Sequence, residues 1–427
     1  MKKLLALLLA VAMVACLFAG CSKEPAPTEA PTDAPTEAPT DETPTDEPAP
    51  TEPSGVDYSA WHVAMITDYG DITDQSFNQT TYEACKAFAE DNSIEFSYFK
   101  PAGDNTADRV AMIEKAVNDG FNVIVMPGYA FGGAIVEAAP EFPDVKFIAL
   151  DVAAGDLLET AVAKAGEAYD YTPENWDLNK YVDMSNVYCA VYQEELCGYM
   201  AGYAAVKLGY KNLGFLGGMS VPAVVRYGYG FVQGVDAAAA DLGLTDVKLN
   251  YIYGGQFFGD ADITAVMDTW YQGGTEVVFA CGGGIYTSAV DAAKKANAKV
   301  IGVDVDQAGV IAKYAGVDGM TVTSAMKGLY PATYDTLTDV IVNGNWEKYV
   351  GKIETLGLVS GTDPEANYVQ IPMGDGTQWS DSFTQDDYKA MVKDMFDGKI
   401  TVSNDTTKAP TDFATAITVN AQGQIKG

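Results

Sequence analysis

The sequence predicts an α/β protein in which two doubly wound parallel-sheet lobes flank a cleft. Three observations carry that expectation. Strand-like and helix-like runs alternate from Trp61 onward, and the strands are unbroken apolar runs such as Val123-Ile124-Val125-Met126, the pattern of parallel strands covered on both faces. The alternation breaks near Ala153 and restarts at Val187. A chain of 427 residues with 48% hydrophobic content also exceeds the roughly 250–300 residues at which one core stops growing.

In order, Lys2 and Lys3 precede an apolar run from Leu4 to Phe18, shorter than the about 20 residues of a membrane span and so read as a secretory signal. Its end, Leu17-Phe18-Ala19-Gly20-Cys21, resembles a bacterial lipobox, which makes Cys21 the expected lipid-attachment site; an ordinary signal peptide is the plainer alternative. Residues 24–54 consist almost wholly of Pro, Thr, Ala, Asp and Glu. Such a segment cannot bury enough apolar area to offset its ordering and is expected to be an extended, solvated tether.

His62 to Thr67 reads as the first strand, and Phe77, Tyr82, Cys85, Phe88 and Ala89 fall at helical spacing over Phe77 to Asp91. Glu95 to Phe99 is a strand, and a helix opened by Asp104 or Thr106 stops at Gly120 before Val123 to Met126. A short helix to Ala139 and the strand Lys146 to Leu150 complete the first set. Residues Ala153 to Ser185 fit neither period and read as an insertion between lobes. Strands then follow at Val187 to Tyr192, Leu213 to Leu216, Lys248 to Tyr253, Val277 to Ala280, Val300 to Val303, Met320 to Ser324 and Ile353 to Leu358. Helices lie between them, and a last one covers Asp386 to Phe396. The expected organisation is a signal over 1–20, a tether over 21–55 and a bilobal domain over 56–427. Its first lobe takes 61–152 and 305–345, and its second 186–303 and 346–400.

Ligands of open parallel sheets bind outside the carboxyl ends of the strands. Those ends carry Asp68, Gly128, Asp151, Gly217-Gly218-Met219, Gly255-Gln256-Phe257-Phe258, Gly282-Gly283-Gly284, Asp304, and Ser324 with Lys327. Ionised carboxylates accept from donors, glycines admit close backbone approach and aromatic faces stack, a set suited to a neutral ligand with hydroxyls and a flat ring. By its helical position Phe77 reads as core ahead of ligand wall, and Asp74 reads equally as helix cap or site residue. The triple glycine lacks the spacing of a dinucleotide fingerprint and the Lys-Ser/Thr of a phosphate loop, so no cofactor is expected.

Composition excludes other classes. A net charge of −33, most of it beyond leader and tether, repels phosphate backbones and makes nucleic acid an unsuitable partner. His62 is the single histidine and reads as structural, so a His-based hydrolase has nothing to build on. Cys281 reads as a packing residue, and the six cysteines show no metal-like spacing.

The string Asp68-Tyr69-Gly70-Asp71-Ile72-Thr73-Asp74-Gln75-Ser76-Phe77-Asn78-Gln79 resembles the signature of the basic membrane protein family, the purine nucleoside receptor (PnrA-like) type of substrate-binding lipoprotein. Further matches in the family's order are Gly198 to Gly202, Gly217 to Pro222, Gly228 to Gly234, Gly282 to Gly284, Ile301 to Gln307 and Thr323 to Lys327. The chain departs from the pattern at Thr73, in the glycine loop around Cys281 and Ile285, and in the Ala153 to Ser185 segment. The resemblance implies a type I periplasmic-binding-protein fold that is no enzyme. It implies capture of a nucleoside for an ABC permease and its ATPase, on the outer face of the cell membrane, held there through the lipid alone. It places Phe77 on one face of the base, Phe257 or Phe258 on the other, and Asp68 and Asn78 at the polar edge. Asp304 would hold the ribose diol, with Lys327 and the Gly282 to Gly284 backbone nearby. The alternatives are a sugar or other small hydroxylated ligand on the same fold, or an extracellular nucleoside hydrolase.

Overall fold

A computed structural model describes residues 58–426; the signal, the Cys21 lipid site and the tether lie outside them. The first lobe begins with β1 (His62–Ile66), α1 (Phe77–Asp91), β2 (Glu95–Phe99), α2 (Thr106–Asn118), β3 (Val123–Pro127), α3 (Gly132–Ala138) and β4 (Lys146–Leu150). Then come α4 (Ala154–Lys164), the single turn α5 (Leu178–Tyr181) and β5 (Val187–Tyr192). The second lobe runs through α6 (Glu194–Lys207), β6 (Asn212–Gly217), α7 (Pro222–Asp241), β7 (Lys248–Tyr253), α8 (Ala261–Gln272), β8 (Val277–Cys281), α9 (Tyr286–Ala296), β9 (Lys299–Asp304), α10 (Ala308–Ala315) and β10 (Thr321–Lys327). The chain returns to the first lobe for α11 (Leu329–Leu337) and β11 (Ile353–Leu356). It ends in the second with β12 (Val369–Gln370), α12 (Gln385–Phe396) and β13 (Thr418–Gln424).

The two sheets have the orders β11-β5-β4-β3-β1-β2 and β12-β10-β9-β8-β6-β7-β13. Every pairing is parallel except β12 on β10. The doubly wound α/β architecture expected from the continuous strands is therefore present. Parallel strands need helical crossovers, and those helices bury the sheet faces: all of β3 and the last four residues of β4 are buried.

Lobe membership differs from the expectation at several strands. Strand β5 pairs with β4 and closes the first set rather than opening the second. Strand β10 lies beside β9 in the second sheet, and β11 lies beside β5 in the first. The chain thus crosses between lobes three times, after Tyr192, after Lys327 and after Leu356. These crossings are stitched together: Gln193 N–H donates to the Leu356 carbonyl at 3.0 Å, Tyr368 N–H to Gly357 at 3.0 Å, and Gly328 N–H to Tyr368 at 2.7 Å. Residues 153–185 are not a bridge between lobes. They hold α4, which buries Leu157, Leu158, Ala161 and Val162, and then an aromatic cluster of Tyr169, Trp176 and Tyr181 within the first lobe. Beyond residue 400, β13 adds an edge to the second sheet beside β7.

Helices α6 and α7 pack backbone to backbone. A Cβ at Gly230 would stand 2.0 Å from the Glu195 carbonyl oxygen, so only glycine permits this approach. The contact sets Glu194, at the start of α6, against Arg226 and Tyr227 on α7.

Candidate ligand-binding site

One cavity of about 430 Å³ lies where the carboxyl ends of the strands of the two lobes face each other, within the size range of small-molecule sites. Every residue expected at the ligand lines it: Asp68, Phe77, Asn78, Gly128, Asp151, Phe257, Phe258, Gly282, Gly283, Gly284, Asp304 and Lys327. His62 does not; its ring bridges Glu95, at 2.9 Å, and the Ser59 carbonyl.

The turn after β1 is built by its own carboxylates. Asp68 Oδ1 accepts the backbone N–H groups of Tyr69 and Gly70 at 2.7 and 2.8 Å, and Arg109 Nε donates to the Asp68 carbonyl at 3.1 Å. Gly128, at φ +127°, comes so near that a Cβ would lie 3.0 Å from the Asp68 side chain. Asp74 sits at the amino end of α1 and accepts from the backbone of Ser76, Asn78 and Gln79 at 2.9 to 3.1 Å, which makes it the cap. Burial outweighs those bonds and pushes its pKa up to about 6. Asp74 also takes the Asn78 side-chain N–H at 3.2 Å, while Asn78 Oδ1 is buried with no partner.

Asp151 and Asp304, just after β4 and at the end of β9, both have left-handed backbone, with φ of 60° and 64°. Strain of this kind in non-glycine residues is tolerated where the surroundings enforce it, and it collects at ligand sites. Between them stands Lys327. Its ammonium pairs with Asp151 across the lobes and lies 3.6 Å from Glu194, 3.8 Å from Asp304 and 4.5 Å from the centre of the Phe77 ring. Burial opposes its charge, but Asp151, Asp304 and Glu194 outweigh burial and hold it protonated. Arg226 supplies the second cation, donating to Glu194 at 2.6 Å. Burial raises the carboxyls of Glu194 and Asp304, and it takes Glu195 to about 7. Asp304 accepts from Ser76 Oγ of the other lobe at 2.5 Å and from the Tyr227 hydroxyl at 3.2 Å.

The aromatic wall of the second lobe is Phe257. Its ring lies against Gly218 and Gly282, where a Cβ would come within 2.3 and 2.7 Å of ring carbons, and it faces Tyr69 at 6.5 Å. Gly284 N–H donates to the Phe257 carbonyl at 2.8 Å. The triple glycine therefore makes room for Phe257 and fixes its loop. Phe258 lines the rim and is 56% exposed. Cys281 is buried, with a thiol that burial pushes well up, as a packing residue requires.

Several residues of the site escaped the sequence reading: Tyr69 and Tyr227, which line the cavity, and Arg226 and Glu194, which stand behind it. Tyr69 lies inside the motif that opens the site, and its hydroxyl reaches Met219 Sδ of the other lobe at 3.3 Å. Tyr227, Arg226 and Glu194 sit on helices buried on nearly every side, so no polar stripe marks them.

The sequence comparisons bear on what such a cavity serves. Residues 61–362 match the model of the family described as ABC transporter substrate-binding protein PnrA-like. The chain belongs to this family. It is accordingly the substrate-binding component of an ABC transporter and not an enzyme, with a permease and its ATPase as partners. The ABC transporter nucleoside-binding protein BmpA of Lactococcus lactis is 26% identical over 356 residues, covering 79% of this chain and 88% of that protein. Basic membrane protein B of Borreliella burgdorferi is 26% identical, covering 72% and 83%. An ABC transporter solute-binding protein from Aeropyrum pernix K1 shares the fold, with a TM-score of 0.57 at 20% identity over 83% of this chain and 90% of that one. Among the described residues no helix is long and apolar enough to cross a membrane.

Proposed function

We propose that this protein captures a nucleoside, of the purine type, between its lobes and hands it to the permease. The observation that carries the reading is the composition of the cavity between the lobes. Phe77 of one lobe and Phe257 of the other line it together, and two buried acceptors among its lining residues, Asn78 Oδ1 and Asp151 Oδ1, have no protein partner. A flat base between rings, with N–H and O–H groups to satisfy those acceptors, fits that set. Buried acceptors left unpaired cost about 1–3 kcal/mol each, and each base stacked on an aromatic contributes about 1–3 kcal/mol. Five acids line the cavity, Asp68, Asp71, Asp74, Asp151 and Asp304, against two lining cations, Lys100 and Lys327, which disfavours a phosphorylated ligand. The name of the Lactococcus relative, a nucleoside-binding protein, points the same way.

Closure joins the two half-sites. Ser76 reaches Asp304, and Gln307, wholly buried, donates to the Gln75 carbonyl at 3.1 Å. Such contacts exist only with the lobes together, the hinge behaviour expected of a binding protein that excludes water from its ligand.

The site on Cys21 completes the proposal: a lipid there holds the protein on the outer face of the membrane, with residues 24–54 as spacer. Cys21→Ala should move the protein from the membrane fraction to the soluble one; retention in the membrane would refute the anchor. The ligand itself is tested by denaturing protein purified from its own host and weighing what it releases. A purine nucleoside is expected, and release of a sugar in its place would overturn the assignment.

A further inference from the structure

The loop that carries Phe257 and Phe258 is held on both sides. Toward the cavity it is tied to the glycine loop by the Gly284 to Phe257 hydrogen bond. On the other side lies a stretch beyond the family match, which ends at residue 362. Strand β13 leads Ile425 onto the second sheet, where its N–H donates to the Tyr253 carbonyl at 2.8 Å and its side chain packs against the core beside α8. The Lys426 carbonyl crosses Gly255 so tightly that a Cβ there, at φ +85°, would stand 2.6 Å from it. The Lys426 ammonium then pairs with Asp260 and lies 3.6 Å from Asp262. Asp260 is also the partner of Gln256, whose amide donates to Asp260 and to the Phe258 carbonyl, each at 2.9 Å.

We propose that residues 424–426 form a strap that positions the aromatic wall of the cavity, with Lys426 as a positioning residue acting through Asp260 and Gln256. The loop 254–260 follows a strand end and contains Gly254, Gly255 and Gly259. Its two ends are pinned: the Gly254 and Gly255 N–H groups donate to the Gly217 and Gly218 carbonyls at 2.7 and 3.0 Å, and the Asp260 N–H donates to Ser288 Oγ at 2.9 Å. The middle, Gln256 to Phe258, is held by the glycine loop and, through Asp260 and Gln256, by the strap. Removing the strap loosens that middle stretch, on which Phe257 is mounted.

Nucleoside binding as the readout rests on the function proposed above, so the test has a second arm that does not. Amide hydrogen exchange in Lys426→Ala is expected to speed up at Gln256 to Phe258 and at Gly284, leaving β1, β3 and β4 unchanged, with Lys426→Arg restoring protection. In the same variant, adenosine and guanosine should bind about 2- to 5-fold more weakly, the range of a partly exposed ion pair. A chain ended at Gly423 should lose about tenfold or more, or ~1.4 kcal/mol. Unchanged exchange in loop 254–260, or a speed-up spread evenly over the second sheet, would overturn the strap. Local loosening in a protein whose parent binds neither nucleoside would uphold the strap and remove the ligand assignment instead.

Discussion

Ser76 and Asp304, 228 residues apart in sequence, share a 2.5 Å hydrogen bond that joins the amino end of α1 in one lobe to the end of β9 in the other. The Ser76 side chain makes no capping bond to its own helix, so its hydroxyl serves the contact between lobes. Ser76→Ala should leave the stability of the first lobe nearly unchanged. It should cost the closed state about 1.5–3 kcal/mol, the net worth of one hydrogen bond to a charged group. Small-angle scattering of ligand-free protein should show a larger open population; an unchanged radius of gyration would mean that this bond does not govern closure.

Lys327 stands among three carboxylates at the hinge, so Lys327→Met leaves Asp151, Glu194 and Asp304 with Arg226 alone. Breaking a buried pair from one side costs about 3–5 kcal/mol. Denaturant unfolding at pH 8 should register that loss. The deficit should shrink as the pH falls, because burial already raises Glu194 and Asp304 and protonation removes their unbalanced charge. A pH-independent deficit would argue that packing, rather than charge, was lost.

Asp156, at the start of α4, is half-buried and accepts the Ala153 N–H at 2.8 Å. Burial takes its pKa from 3.8 to about 7. A carboxyl raised on folding stabilises the fold most below its unfolded pKa, and that stability is lost as pH rises through the folded value. The window is therefore about pH 4 to 7, and above it the native state carries a poorly solvated ionised group. Asp156→Asn keeps the acceptor and removes the charge. It should stabilise the protein at pH 8, by about 2–4 kcal/mol at ~1.4 kcal/mol per pKa unit, and by nothing near pH 4. Thermal unfolding across that range checks it; an equal gain at both ends would place the effect elsewhere.

The site was legible in the sequence because of a rule about sheets. Parallel strands deliver their carboxyl ends to one edge, so Asp68, Gly128, Asp151, Cys281 and Asp304 had to converge once the strands were recognised. What stayed hidden depends on three dimensions. The pairing of Lys327 with Asp151 joins residues 176 apart, and Glu194 and Arg226 lie on helices with no exposed polar face to advertise them. The lobe boundaries were misplaced because a strand carries no local mark of which sheet it joins: β5 is as apolar as its neighbours, and β10 is as buried as β9. Helix α4 was missed because its Leu157, Leu158, Ala161 and Val162 stripe is followed by the charged and aromatic residues 166–183. Strand β13, Thr418–Gln424, is nearly all exposed and polar, an edge without the alternation that marks a half-buried strand.

The central claim, that the cavity holds a stacked nucleoside, is tested most directly by calorimetric titration of the protein and of Phe77→Ala with adenosine, guanosine, inosine, cytidine and uridine. Saturable binding of the purine nucleosides is expected, weakened in the variant by about 1–3 kcal/mol, the worth of one base on one aromatic ring. No heat with any nucleoside, or an affinity indifferent to the loss of Phe77, would contradict it.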